Sequence, residues 1–130
     1  MDNQRMQTII ESLSDRIEGD LGYWSFDVES REVVVITDVD ADRMRIMTAV
    51  LETNELAAEE AGALLAANFD RALDARYALA RGYVWSLFIH PLSPLTEAQF
   101  IDGVSQVVTL AENYGTSYTS TNLVFGGGQN

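Results

Sequence analysis

The chain has no cysteine and no lysine, one histidine and two prolines. Without cysteine there is no disulfide framework, no thiolate metal site and no cysteine nucleophile, so stability must come from packing. A single histidine cannot assemble a histidine pair or a histidine-rich metal site within one subunit. Eight arginines face twenty carboxylates, a net charge of −12, which disfavours attraction to nucleic-acid backbones or anionic lipid. A basic or neutral protein suits such a surface better as partner. No apolar run approaches the ~20 residues of a membrane span, and the start, MDNQRMQTIIESL, lacks a basic segment followed by an unbroken apolar one. A soluble cytoplasmic protein is expected. What is present is apolar: 47% of 130 residues, with five Phe, five Tyr and two Trp, enough for one core and one domain.

Met6, Ile9, Ile10, Leu13 and Ile17 recur at helical spacing, predicting an amphipathic helix that ends near Gly19. YWSFDV alternates Trp24, Phe26 and Val28 against Tyr23, Ser25 and Asp27, the pattern of a half-buried strand. Glu29 and Ser30 turn the chain into a β-branched strand over residues 31 to 38. Residues 43 to 51 form a third strand, with Met44, Ile46, Thr48 and Val50 on one face and Arg43, Arg45, Met47, Ala49 and Leu51 on the other. From Ala57 the Ala, Glu and Leu texture predicts a second helix ending around residue 71. RYALA and YVWSLFIH flank Arg81-Gly82 as a tight hairpin. Thr96 and Gln99 form a capping box for a last helix carrying Phe100, Val104, Val107, Val108 and Ala111, with Gly115 at its C-cap. A Ser/Thr-rich segment, a short apolar LVF and a glycine-rich end follow. The expected architecture is one α+β domain over residues 1–117, with a mainly antiparallel five-stranded sheet and three helices in the order α-β-β-β-α-β-β-α, and a tail over residues 118–130.

That order, and in particular LLAANFDRALDARYALARGYVWSLFIHPLSPLTEAQF from Leu64 to Phe100, resembles the class I type III secretion chaperones (the Tir-chaperone, CesT-like family) and the related bacterial YbjN-type proteins. The resemblance implies a homodimer without enzymatic activity or cofactor, holding a poorly folded segment of a partner along apolar grooves and strand edges. It places the dimer contact near the second helix and the following strand, here Leu65, Phe69 and Tyr77. The first helix, with Ile9, Ile10, Leu13 and Ile17, is a fair groove wall for the partner segment, with Trp24 and Phe26 on the adjoining strand. The glycine-rich C-terminus departs from the family.

Three stretches invite chemistry. ITDVDADRMRI sets Asp38, Asp40 and Asp42 at alternate positions, as an EF-hand loop does. Counted from Asp38, however, the required glycine is Arg43 and the bidentate glutamate is Ala49, so the reading is a turn between strands. His90 lies between Ile89 and Pro91 at a strand end; it reads as a side chain fixing the turn, and a general base would need Ser86, Ser93 or Asp102 beside it. Gly126, Gly127 and Gly128 precede no helix and no lysine, so they do not form a phosphate loop. No catalytic residue and no metal site is expected. The function expected is a homodimeric protein-binding module for an extended or amphipathic segment. The alternatives are a regulatory adaptor of the YbjN type that binds a folded protein, and a small-molecule-binding domain using His90 with a nearby carboxylate.

Overall fold

The computed structural model describes residues 1–70 and 73–114. Its elements are α1 (Asn3–Leu13), β1 (Ile17–Asp20), β2 (Tyr23–Val28), β3 (Arg31–Asp38), β4 (Arg43–Glu52), a 3-10 turn (Thr53–Glu55), α2 (Ala58–Asp70), β5 (Arg76–Ala80), β6 (Tyr83–Pro91) and α3 (Glu97–Glu112). The strands form one antiparallel sheet in the order β1-β2-β3-β4-β6-β5. The α+β class and the three helices are as expected, but the sheet has six strands rather than five. The additional one is β1, cut from what the helical spacing assigned to the first helix. Ser14 adopts extended backbone and ends α1. Ile17, four residues after Leu13, pairs instead with Phe26 on β2. A spacing of four is shared by a helix face and, by accident, by a helix followed by a short strand.

Local chemistry explains the connections. Asp2 caps α1 by accepting the N–H of Arg5 at 2.8 Å. Glu29 and Ser30 both take left-handed backbone, φ 51° and 68°, between β2 and β3, and Arg81 and Gly82 do so at 54° and 84° between β5 and β6. Two consecutive positive φ values suit the right-handed twist of a tight hairpin. The Asp-rich stretch is the β3–β4 turn: Asp38 accepts the Ala41 N–H at 3.0 Å, and the Asp42 carboxylate accepts the N–H and the hydroxyl of Ser93, both at 2.8 Å. Asp42 thereby ties this turn to the segment after β6. Thr96 and Gln99 form the reciprocal capping box of α3. The Gly115 cap and the tail over residues 118–130 lie outside the described residues.

The helices are assigned to one face of the sheet by the partners of its residues. Gln7 on α1 accepts from the Trp24 indole at 2.5 Å, and Asn3 accepts from the Thr37 hydroxyl at 2.7 Å. On α3 the carbonyl of Val107 accepts from Ser86 at 2.8 Å and that of Leu110 from Tyr77 at 2.7 Å. A Cβ at Gly103 would sit 3.0 Å from both Ile46 and Phe88, so glycine lets α3 approach the strands closely. Beneath these helices lie the rows Trp24–Val35–Ile46–Phe88 and Phe26–Val33, all buried. The second helix sits at the β5 edge, where the Asn68 amide donates to the Tyr77 carbonyl at 3.0 Å and accepts its N–H at 2.8 Å.

Candidate functional site

Strands β2 to β6 have a second face, and the alternation that buries Trp24, Ile46 and Phe88 sends their neighbours to it. Register aligns Tyr23, Ile36, Arg45 and Ile89 in one row across four strands, and Ser25, Val34, Met47, Leu87 and Arg76 in the next. The polar and close contacts made by α1 and α3 to the strands fall on the Trp24 face. Tyr23 and Ile89 are 54% and 50% exposed, while Val34, Ile36, Met47 and Leu87 are half-buried by their neighbours. The result is a largely apolar surface with Arg45 near its centre and Arg43 and Arg76 at its margins.

A second surface lies at the β5 end. Leu65, Phe69 and Leu79 are 71%, 90% and 59% exposed, beside an apolar hollow of about 230 Å³ walled by Leu56, Leu64, Tyr77 and Val84. Phe69 projects from the last turns of α2 with almost its whole ring in solvent, an unusual state for so large an apolar side chain.

Against these surfaces the residues singled out from sequence fall into two groups. Leu65 and Phe69 are surface residues of one apolar patch. Tyr77 reaches that patch only as part of the hollow's floor: it is buried, its hydroxyl donates to Leu110, and burial first, then the neighbouring Tyr114, pushes its phenol well above the ordinary tyrosine range. Ile9, Ile10, Trp24 and Phe26 are in the core, from 0% to 4% exposed, and so line no open groove; Leu13 and Ile17 are half-buried at its margin. The reason is that α1 lays its apolar stripe on the Trp24 and Phe26 face, each satisfying the other. Sequence reasoning missed the apolar residues of the opposite face. Their signal was present in REVVVITD and YVWSLFIHP, which are apolar at successive positions and not only at alternate ones, the mark of strands with an apolar layer on both sides.

His90 stacks on Phe88 with ring centroids 5.8 Å apart, and its Nδ1 lies 2.8 Å from the Pro91 carbonyl. It shares a hollow of about 340 Å³ with Asp74 and Asp102, yet makes no hydrogen bond to either among the described residues. Asp102 accepts from Gln106, Ser86 donates to Val107, and Ser93 donates to Asp42. The would-be partners of a catalytic histidine are therefore engaged elsewhere. No group of three or more His, Asp or Glu that could hold a metal ion occurs among the described residues. At the β1 end, Arg16 forms a bidentate pair with Asp27 at 2.8 and 3.0 Å; this hydrogen bonding holds the Asp27 carboxyl below the usual carboxylate range.

No protein-family model matches the chain, and no curated protein matches its sequence. Solved structures do match its fold. A chain of the ExsC–ExsE complex superposes with a TM-score of 0.68 over 88% of this chain and 94% of that one, at 15% identity. A chain of the HopA1–SchA chaperone–effector complex gives 0.60 over 85% and 95%, at 9% identity. A chain from the structure of the Yersinia pestis type III secretion chaperone SycH with a stable fragment of YscM2 gives 0.63 over 85% and 97%, at 13% identity. The fold is thus that of the type III secretion chaperones. No described helix is long and apolar enough to cross a membrane.

Proposed function

We propose that the chain is a chaperone-like, non-enzymatic protein-binding module that acts as a homodimer and holds a segment of a partner protein. The observation that carries the reading is the open sheet face: Val34, Ile36, Met47, Leu87 and Ile89 form an apolar surface in a chain whose net charge of −12 otherwise keeps it solvated. Its similarity in fold to chains from a chaperone–effector complex and from a secretion-chaperone structure supports a protein as occupant. The homodimer draws on the separate patch of Leu65, Phe69 and Leu79, which lies at the sheet edge and leaves the open face available. Tyr77 contributes to that interface only from beneath.

Site-specific photocrosslinking in the native host tests the reading. A photoreactive residue at Ile89 should capture a defined protein segment, while one at Ile101, on the outer side of α3, should not. Equal capture at both positions, or none at Ile89, removes the open face as the binding surface.

A further inference from the structure

The open face is not uniformly apolar, and its charges are segregated. Arg45 sits between Ile36 and Ile89 across the strands, with Met47 and Arg43 two residues away along β4 on the same side. It is exposed, and its side chain makes no hydrogen bond or ion pair with any described residue. Arg43 donates to the carbonyl of its neighbour Asp42 at 3.1 Å, and after the Ser93 hydrogen bonds its charge helps hold the Asp42 carboxyl below the usual range. The carboxylates that share this face have other partners: Asp38, opposite Arg43, accepts the Ala41 N–H in its turn, Glu32 accepts from Ser25, and Asp27 is paired with Arg16 beyond β2. With twenty carboxylates against eight arginines in the chain, an arginine side chain without a carboxylate partner near the centre of its open apolar surface runs against the average composition.

We infer that this face receives an amphipathic helix of a partner protein whose apolar stripe is flanked by carboxylates, with Arg45 as the residue that selects them; the inference rests on the protein-binding reading above. Dimensions favour a helix. Four strands at ~4.8 Å spacing give a row of roughly 14 Å from Tyr23 to Ile89, and adjacent rows lie ~6.7 Å apart along the strands. A helix about 10 Å across, rising ~5.4 Å per turn, covers both rows with between two and three turns. Desolvation decides the charge. A helix that covers Ile36 and Ile89 takes Arg45 out of water with them, and an unpaired buried cation is costly, whereas a carboxylate at the edge of the incoming stripe satisfies it. A neutral or basic helix meets the same apolar surface but leaves that cost standing.

The test uses three synthetic 18-residue helix-forming peptides with one leucine stripe, flanked by glutamates, by glutamines or by lysines, titrated against the full chain by fluorescence anisotropy at low and high salt. The glutamate peptide should bind about three- to tenfold tighter than the glutamine one. That margin should shrink as salt rises. Arg45→Gln should abolish the margin, and Arg45→Glu should invert the order so that the lysine peptide binds best, with thermal melts showing that both variants remain folded. If all three peptides bind wild type equally, or if Arg45→Glu leaves the order unchanged, the charge selection is wrong while the protein-binding face stands. If none binds, the helix-receiving face itself is wrong. If Arg45→Gln instead drives self-association without altering peptide preference, Arg45 is a guard against aggregation and the inference fails.

Discussion

Replacing Phe69 by Glu tests the dimer directly, because the structure separates what this side chain does for folding from what it can do for association. The ring is 90% exposed in the single chain. Removing it therefore costs the monomer little, within about 0.5 kcal/mol, the usual range for surface substitutions. In a two-fold dimer each copy contributes the same patch to the partner, so Phe69 counts twice. Burying a phenylalanine side chain is worth about 1.5–3 kcal/mol, giving roughly 3–6 kcal/mol across both copies. That corresponds to a weakening of two to four orders of magnitude in the dimer Kd, before the added cost of burying two carboxylates. Sedimentation velocity over a range of concentrations should show wild-type dimer and Phe69→Glu monomer, and circular dichroism should show the same secondary structure in both. The melting temperature of wild type should rise with protein concentration and that of the variant should not. A variant that stays dimeric with an unchanged Kd, or a wild type monomeric throughout, refutes the assignment of this patch. Leu65→Glu, 71% exposed on the same helix, should behave alike.

Two further predictions concern groups that the fold engages. Tyr77→Phe removes the donor to the Leu110 carbonyl, one of the terminal acceptors of α3, and should cost about 1–3 kcal/mol, measured by urea denaturation at neutral pH. Because the folded-state pKa of Tyr77 lies above its ordinary value, the unfolded chain loses this proton first; wild-type stability should decline as pH rises past about 10, and this part of the decline should vanish in the variant. Ser93→Ala removes the hydroxyl that, ahead of the Ser93 N–H, holds the Asp42 carboxyl below the usual range, so Asp42 should titrate at higher pH in the variant by NMR. The sign follows from linkage: a depressed carboxylate stabilises above its unfolded pKa of about 3.9 and loses that contribution as pH falls through the folded value, so acid should cost wild type more than the variant. An unchanged Asp42 titration would show that the hydroxyl is irrelevant to it.

The elements that alternate or cap strongly were legible before any coordinates. The strand over residues 31 to 38, the Arg81-Gly82 hairpin and the Thr96–Gln99 box all stand where local chemistry alone places them, as do Met44, Ile46 and Thr48 of the expected inward set, whose Val50 falls in the register shift between Ala49 and Leu51. The short strand β1 was not legible, because IEGD has one apolar residue and takes its identity from pairing with β2, a contact between segments and not a property of either. The same limit explains why Ile9, Ile10, Trp24 and Phe26, expected beside a groove, lie in the core. Periodicity identifies which residues share a side of a strand, but it does not say which side a helix will take.

Both sides of the central strands are apolar enough to attract a layer, and the choice between them is made by shape and by polar partners. Trp24 offers an indole N–H that Gln7 accepts, Ser86 and Tyr77 offer hydroxyls to the carbonyls of α3, and Gly103 admits Ile46 and Phe88 at close range. The opposite side offers the apolar side chains of Val34, Ile36, Met47, Leu87 and Ile89 around Arg45. Intramolecular helices are thus directed to the Trp24 side, and the Arg45 side is left for a layer that this chain's described helices do not supply.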